Sequence, residues 1–270
     1  KFYFGITLGI QSLHYKSFSV YTEEIIGETN NKLEKFSMYQ DFTSSGVGIN
    51  FKAGFIYRPI PVLRLGFAIH TPTYYDLDAY ANNNVSAKFT ELPVEDAKPT
   101  EKFEYGESAW TDYSYKLKTP WRLMASAATV LGQRAIISFD YEYVDYTTAK
   151  YSNDGAKNEY LETNNAIKAI YKSTHNFRAG AEYRFNSVFC LRGGYAYSAS
   201  PYTKGEMNEK NDIQTITGGL GLNFGVFYAD LAYLHKNSKL NGLFYYYETS
   251  KGEVIESPNF KRNSKITNSG

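Results

Sequence analysis

The chain has 270 residues, with 29 Lys plus Arg against 28 Asp plus Glu, so it carries neither the basic field of a nucleic-acid binder nor an acidic solvating tail. No run approaches the roughly 18 apolar residues of a membrane-spanning helix, although a membrane barrel, whose strands average out to polar, stays open. The 26 Tyr and 18 Phe suit either a membrane–water interface or a Tyr-rich soluble β-protein, and one cysteine, Cys190, excludes an internal disulfide and a Cys-based zinc site.

The chain opens in strand-like fashion at Lys1-Phe2-Tyr3-Phe4, with no leader, so either processing has removed one or the sequence starts mid-protein. Period-two alternation then dominates. In Lys1–Gln11, Phe2, Phe4, Ile6, Leu8 and Ile10 oppose Tyr3, Gly5, Thr7 and Gly9. Val47–Tyr57 and Val62–Thr71 repeat the pattern, with Lys52, Arg64 and His70 on the polar side. Trp121–Ala127 and Arg134–Tyr143 follow, placing Arg122, Arg134, Asp140 and Glu142 on that side. Phe177–Phe185, Phe189–Tyr197, Thr215–Phe224 and Phe227–Tyr233 complete about nine long strands. Their polar sides carry Arg178, Glu182, Arg184, Arg192 and Asp230.

The connections alternate in length. Arg58-Pro59-Ile60-Pro61, Leu131-Gly132-Gln133, Asn186-Ser187 and Phe224-Gly225 are short turns. Residues 14–40, 74–113, 147–172, 199–211 and 237 onward read as long polar loops. Short turns at one end and long loops at the other predict an all-β, antiparallel transmembrane barrel of the outer-membrane kind, since a sandwich mixes loop lengths at both ends. Nine strands cannot close with every neighbour antiparallel. Residues Asn259-Phe260-Lys261 to Gly270 read as loop. A closing strand is therefore expected beyond the C-terminus, and more material before the N-terminus.

Ordered stretches carry a family resemblance. They are Tyr3-Phe4-Gly5-Ile6-Thr7-Leu8-Gly9-Ile10, Gly46-Val47-Gly48-Ile49-Asn50-Phe51-Lys52-Ala53-Gly54 with Arg64-Leu65-Gly66 and His70-Thr71-Pro72, Thr119-Pro120-Trp121-Arg122, Asp140-Tyr141-Glu142-Tyr143-Val144-Asp145-Tyr146, and Arg192-Gly193-Gly194-Tyr195 with Ser200-Pro201. Over nearly its whole length the chain resembles the FadL/TodX outer-membrane transport proteins, particularly their Bacteroidetes-like branch. The resemblance implies a 14-stranded monomeric barrel plugged by an N-terminal hatch. It implies passive uptake of long-chain fatty acids or aromatic hydrocarbons, released sideways at a kinked strand. The nine strands then correspond to the fifth to thirteenth. Hatch, first four strands and closing strand fall outside this chain, which is one incomplete barrel domain over 1–270. Loops 14–40 and 74–113 correspond to the family's capture groove. Phe18, Ile25, Ile26, Leu33 and Phe36 in the first, and Leu77, Phe89, Leu92 and Phe103 in the second, are the candidate capture surface, unless they bury one another in loop cores.

On the polar side, Arg64, His70, Arg122, Arg134, Arg178 and Arg192 are candidates for holding a carboxylate. The alternative is a structural ion-pair lattice. His14, His70, His175 and His235 have no metal-ligand spacing, no Ser-His-acid set shares a strand face, and no cofactor motif occurs, so an enzyme is not expected. Expected partners are a hydrophobic small molecule and the lipid and lipopolysaccharide of the outer membrane. A general diffusion porin, or a structural or adhesive barrel acting through its loops, are the competing readings.

Overall fold

In a computed structural model the described residues are 1–26, 33–89, 104–155, 159–243, 246–248, 254–256 and 259–269. The elements are β1 (Phe2–Glu24), β2 (Leu33–Ile60), β3 (Leu63–His70), β4 (Tyr74–Phe89), β5 (Glu104–Lys118), β6 (Arg122–Leu131) and β7 (Ala135–Asp145). After a 3-10 turn at Tyr146–Thr148 come β8 (Lys150–Ser152), α1 (Leu161–Ile170), β9 (Ser173–Arg184), β10 (Phe189–Ser198), β11 (Ile213–Asn223) and β12 (Tyr228–Gly242). A small hairpin, β13 (Tyr246–Glu248) with β14 (Val254–Glu256), precedes β15 (Phe260–Ser269).

Thirteen strands form one antiparallel sheet. β3 with β4, β5 with β6, and β7 with β8 each continue a single line, so the sheet has ten staves. The tenth stave corrects the sequence reading of 259–270 as loop. β15 pairs with β12 from Tyr233↔Ser269 to Gly242↔Phe260. It lies beside the upper, polar half of β12, and its outward positions are Lys261, Asn263, Lys265 and Thr267, so no apolar alternation marked it. With ten staves the edge strands β1 and β15 run in opposite directions, which removes the parity objection. Among the described residues the sheet is open between them.

Two of the long loops are also corrected. β1 and β2 pair without interruption from Phe2↔Tyr57 to Glu24↔Lys35, and β4 and β5 pair from Tyr74↔Lys118 to Lys88↔Glu104. Residues 14–24, 33–40, 74–89 and 104–113 are therefore strand, rising above the apolar belt. Above the belt both faces meet water or protein, so polar residues occur on both and the lipid signature fades. The segment 147–172 contains β8 and α1 rather than loop alone.

The belt follows from the register. Outward positions align from stave to stave as Phe4↔Phe55, Phe55↔Phe67, Phe67↔Ala125, Ala125↔Tyr141 and Tyr141↔Phe177. Rings meet across strands, as in Phe55–Phe67 at 6.0 Å and Tyr141–Phe177 at 5.4 Å. Such pairs contribute about 0.2–1 kcal/mol each to strand pairing. Ile6 is 74% exposed, and Phe4, Leu8 and Ile10 are also exposed, a contiguous apolar surface that only lipid can cover well.

Candidate functional site

Beneath the belt's upper edge, two neighbouring staves break at the same height. β3 passes to β4 through Thr71-Pro72-Thr73, and β5 to β6 through Thr119-Pro120-Trp121. A proline has no N–H for the ladder. The threonines fill the gap: Thr73 N–H donates to Thr119 Oγ1 at 2.8 Å, Thr119 N–H to the Thr73 carbonyl at 3.0 Å, and Phe51 N–H to Thr71 Oγ1 at 2.9 Å. The paired breaks open a polar cavity of about 210 Å³ on the inner face, lined by Asn50, Lys52, His70, Arg122, Tyr75 and Gln11 among others.

Register places three cationic or basic side chains in one row across three staves, Lys52↔His70 and His70↔Arg122, with Thr7 and Val144 as the flanking positions. Like charges in direct cross-strand apposition repel. Among the described residues neither Lys52 nor Arg122 has an ion-pair partner. The acid one row toward the short turns is Glu142. It is buried, accepts from Asn176 Nδ2 at 3.0 Å, and pairs with Arg178 at 3.8 Å. Asn50, 6% exposed, donates through Nδ2 to Thr73 Oγ1 at 2.8 Å and leaves Oδ1 without a hydrogen-bond partner among the described residues. The row therefore presents the donors of Lys52 and Arg122 to one small space, an arrangement suited to a ligand's anionic head.

Tyr75 roofs this cavity. Gln11, Gly48 and Tyr75 share a register row, and the Tyr75 hydroxyl donates to Gln11 Oε1 at 2.6 Å, across β2. The ring passes where a Cβ on Gly48 would stand, which is why that position carries no side chain.

Above the cavity the inner face turns apolar. One row reads Leu13↔Gly46↔Leu77↔Tyr115, the next Tyr15↔Ser44↔Ala79↔Tyr113, and Phe42 stands opposite Ala81 above them. Leu77 is 1% exposed, and Tyr15 and Phe42 rings meet at 6.1 Å. Tyr115 O–H and Ser44 Oγ are 2.9 Å apart.

The sequence candidates divide accordingly. His70 and Arg122 come together, joined by Lys52, which alternation had placed on the polar side though not among the carboxylate candidates, and by Asn50, whose inward position in the alternation was its only signal. Arg178 is tied to Glu142, and Arg192 donates to Glu182 Oε2 at 2.8 Å and to Asp230. Arg64, opposite Ala128, and Arg134, in the turn before β7, sit near the short-turn rim away from the cluster. The proposed loop capture residues are mostly on strands: Phe18 on β1, Leu33 and Phe36 on β2, Leu77 and Phe89 on β4. Phe36 and Leu77 fall on the inner face, whereas Phe18 falls on the outer face with Ile10 and is exposed. Ile25 and Ile26 follow the end of β1, with Ile26 almost wholly exposed. Leu92 and Phe103 lie outside the described residues. His175 is on the outer face, its Nδ1 2.6 Å from Tyr141 O–H.

An apolar outer belt, short turns at one rim, tall strands at the other and a charged inner face define an outer-membrane β-barrel. The family of outer membrane protein transport proteins (OMPP1/FadL/TodX) matches residues 3–222, and the chain belongs to it. A FadL homologue of Pseudomonas aeruginosa shares the fold at TM-score 0.50 and 14% identity, over 96% of this chain and 67% of that one. The toluene transporter TodX of Pseudomonas putida is similar over 96% of this chain and 70% of its own, at 12% identity and TM-score 0.42. The CymD monoaromatic hydrocarbon channel is similar over 88% and 72%, at 13% identity and TM-score 0.46. No curated protein sequence matches the chain. The protein is thus an outer-membrane transport protein.

Proposed function

We propose that the protein conducts hydrophobic molecules with an anionic head, of the long-chain fatty-acid class, passively across the outer membrane. One observation carries the reading: an apolar inner wall at Leu13, Phe42 and Tyr115, backed by buried Leu77, stands above the uncompensated row Lys52, His70 and Arg122, with the Gln11–Tyr75 pair between them. An amphiphile entering tail-up has its chain against the first and its carboxylate at the second. The wall supplies apolar area at about 25 cal/mol per Å² of surface removed from water. Charge-assisted hydrogen bonds at the row fix the head. The protein works as a monomer, its belt covered by outer-membrane lipid and lipopolysaccharide.

Liposomes containing the purified chain test this. Palmitate should enter them well above the rate for protein-free liposomes, while the same liposomes resist swelling in small sugars. Sugar-driven swelling without palmitate uptake would establish a diffusion porin instead.

A further inference from the structure

The outer face carries a second set of unbalanced cations. One register row runs Ile49↔Tyr74↔Lys118↔Lys150 across β2, β4, β5 and β8. It starts in the lipid-facing belt, since Ile49 and Tyr74 are exposed, and ends in two lysines directly opposite each other. Lys118 Nζ lies 6.0 Å from the centre of the Tyr74 ring, and Trp121 is exposed just below, so the pair stands at the upper lip of an aromatic girdle. The next row up is balanced: Lys116 has Asp76 opposite it on β4 and pairs with Asp154. Among the described residues neither Lys118 nor Lys150 has such a partner. Lys150 also lines a cavity of about 200 Å³ with Lys168, Asn165 and Asn153. The backbone behind it is fixed, because Asn164 donates to the Tyr151 carbonyl and accepts from Tyr151 N–H, both at 2.8 Å, closing the free edge of β8.

Two lysines in cross-strand apposition repel unless an anion bridges them. At the height where the aromatic girdle gives way to water, on the surface that faces lipid, the anion at hand is a lipid phosphate. We propose that Lys118 and Lys150, with Lys168, clamp a phosphate of an acylated, phosphorylated glycolipid of the outer leaflet. The inference rests on the outer-membrane placement and on lipopolysaccharide as the surrounding lipid in the reading above. It is independent of the route through the lumen.

The test uses the full chain in detergent, as wild type, as Lys118→Gln/Lys150→Gln, and as Lys116→Gln. The thermal midpoint is followed against added lipopolysaccharide, the same lipopolysaccharide stripped of phosphate, and inorganic phosphate. Without additive the double variant should melt no lower than wild type, since a repulsion has been removed. Heat-modifiable migration on a gel confirms that each variant is folded. Lipopolysaccharide should raise the wild-type midpoint, and half-saturation of the double variant should need about tenfold more, the scale of lost charge-assisted bonds. Lys116→Gln should titrate like wild type. The difference should vanish with dephosphorylated lipid, and inorganic phosphate alone should produce no shift. Equal titration of wild type and double variant, a difference that survives dephosphorylation, or a full response to inorganic phosphate would each overturn the clamp. Palmitate uptake by the double variant should match wild type, so failure of the uptake reading and failure of the clamp are read separately.

Discussion

Two stretches of the inner wall carry several cations each and treat them in opposite ways. From β7 to β12 the arginines are balanced: Arg178 meets Glu142, Arg184 and Arg192 share Glu182, and Arg192 continues to Asp230. From β2 to β6, Lys52 and Arg122 flank His70 with no acid of their own among the described residues. A balanced network spends its donors on the wall itself. An unbalanced row keeps them available, at a cost in repulsion that the proposed anionic head group would relieve. On the proposed function, that difference separates scaffold from site more sharply than the presence of arginine, which both stretches share.

The unbalanced row should be the more sensitive of the two in transport. Lys52→Gln/Arg122→Gln should lower palmitate uptake in liposomes about tenfold or more, the scale of two lost charge-assisted contacts. Uptake of a neutral hydrocarbon should change less than about twofold, and stability should hold or rise as repulsion falls. An equal loss for both substrates would mean the row shapes the pore and holds no head group.

The balanced side should respond in stability and not in uptake. Arg192 reaches Asp230 by passing over β11 at Gly221. A Cβ there would sit 2.5 Å from Cys190 Sγ, 2.9 Å from Asp230 Oδ1 and 3.4 Å from Arg192 Nη1. Gly221→Val should therefore cost about 1–3 kcal/mol by overpacking, measured by urea unfolding in lipid, with palmitate uptake preserved. Arg192→Gln should cost less, about 1 kcal/mol, because the ion pairs are partly exposed and solvent screens them. If Arg192→Gln instead abolished uptake at full stability, the balanced stretch would be part of the site and the contrast would fail.

Much of this was legible in the sequence. Alternation located nine staves because lipid demands an unbroken apolar face, and turn lengths oriented them. β15 escaped, since Lys261, Asn263 and Lys265 lie beside the part of β12 that stands above lipid. The tall extensions escaped for the same reason, and Leu77 in its apolar inner face read as a loop residue. Within the site, His70 and Arg122 were visible as inward basic residues, but alternation cannot say which arginine has an acid across the strand. That depends on register: a pairing slip of one residue would turn Lys52 to the other face, away from His70. The matched breaks at Pro72 and Pro120 stood in the sequence as two separate motifs, and only pairing brings them to one height.

The smallest expected effect lies outside the membrane, where α1 joins the segment 199–211. Tyr171 N–H donates to the Ile167 carbonyl, Lys172 N–H to Pro201, and Thr203 N–H to Ile170, stitching the helix end to that segment. Tyr171 and Tyr202 rings meet at 5.1 Å. Burial, then the hydrogen bond with Tyr202, pushes the Tyr171 hydroxyl up to about 12 from an ordinary value near 10. The folded state thus favours the neutral phenol. Its contribution to stability is complete below pH about 10, where the unfolded chain also keeps the proton, and is lost as pH rises through about 12. Tyr171→Phe should remove this dependence. The tyrosinate absorbance at 295 nm of wild type minus variant should therefore rise near pH 12, with the remaining tyrosines cancelling. A difference curve that rises near pH 10 would show the hydroxyl free in solvent and the two outer segments unstitched.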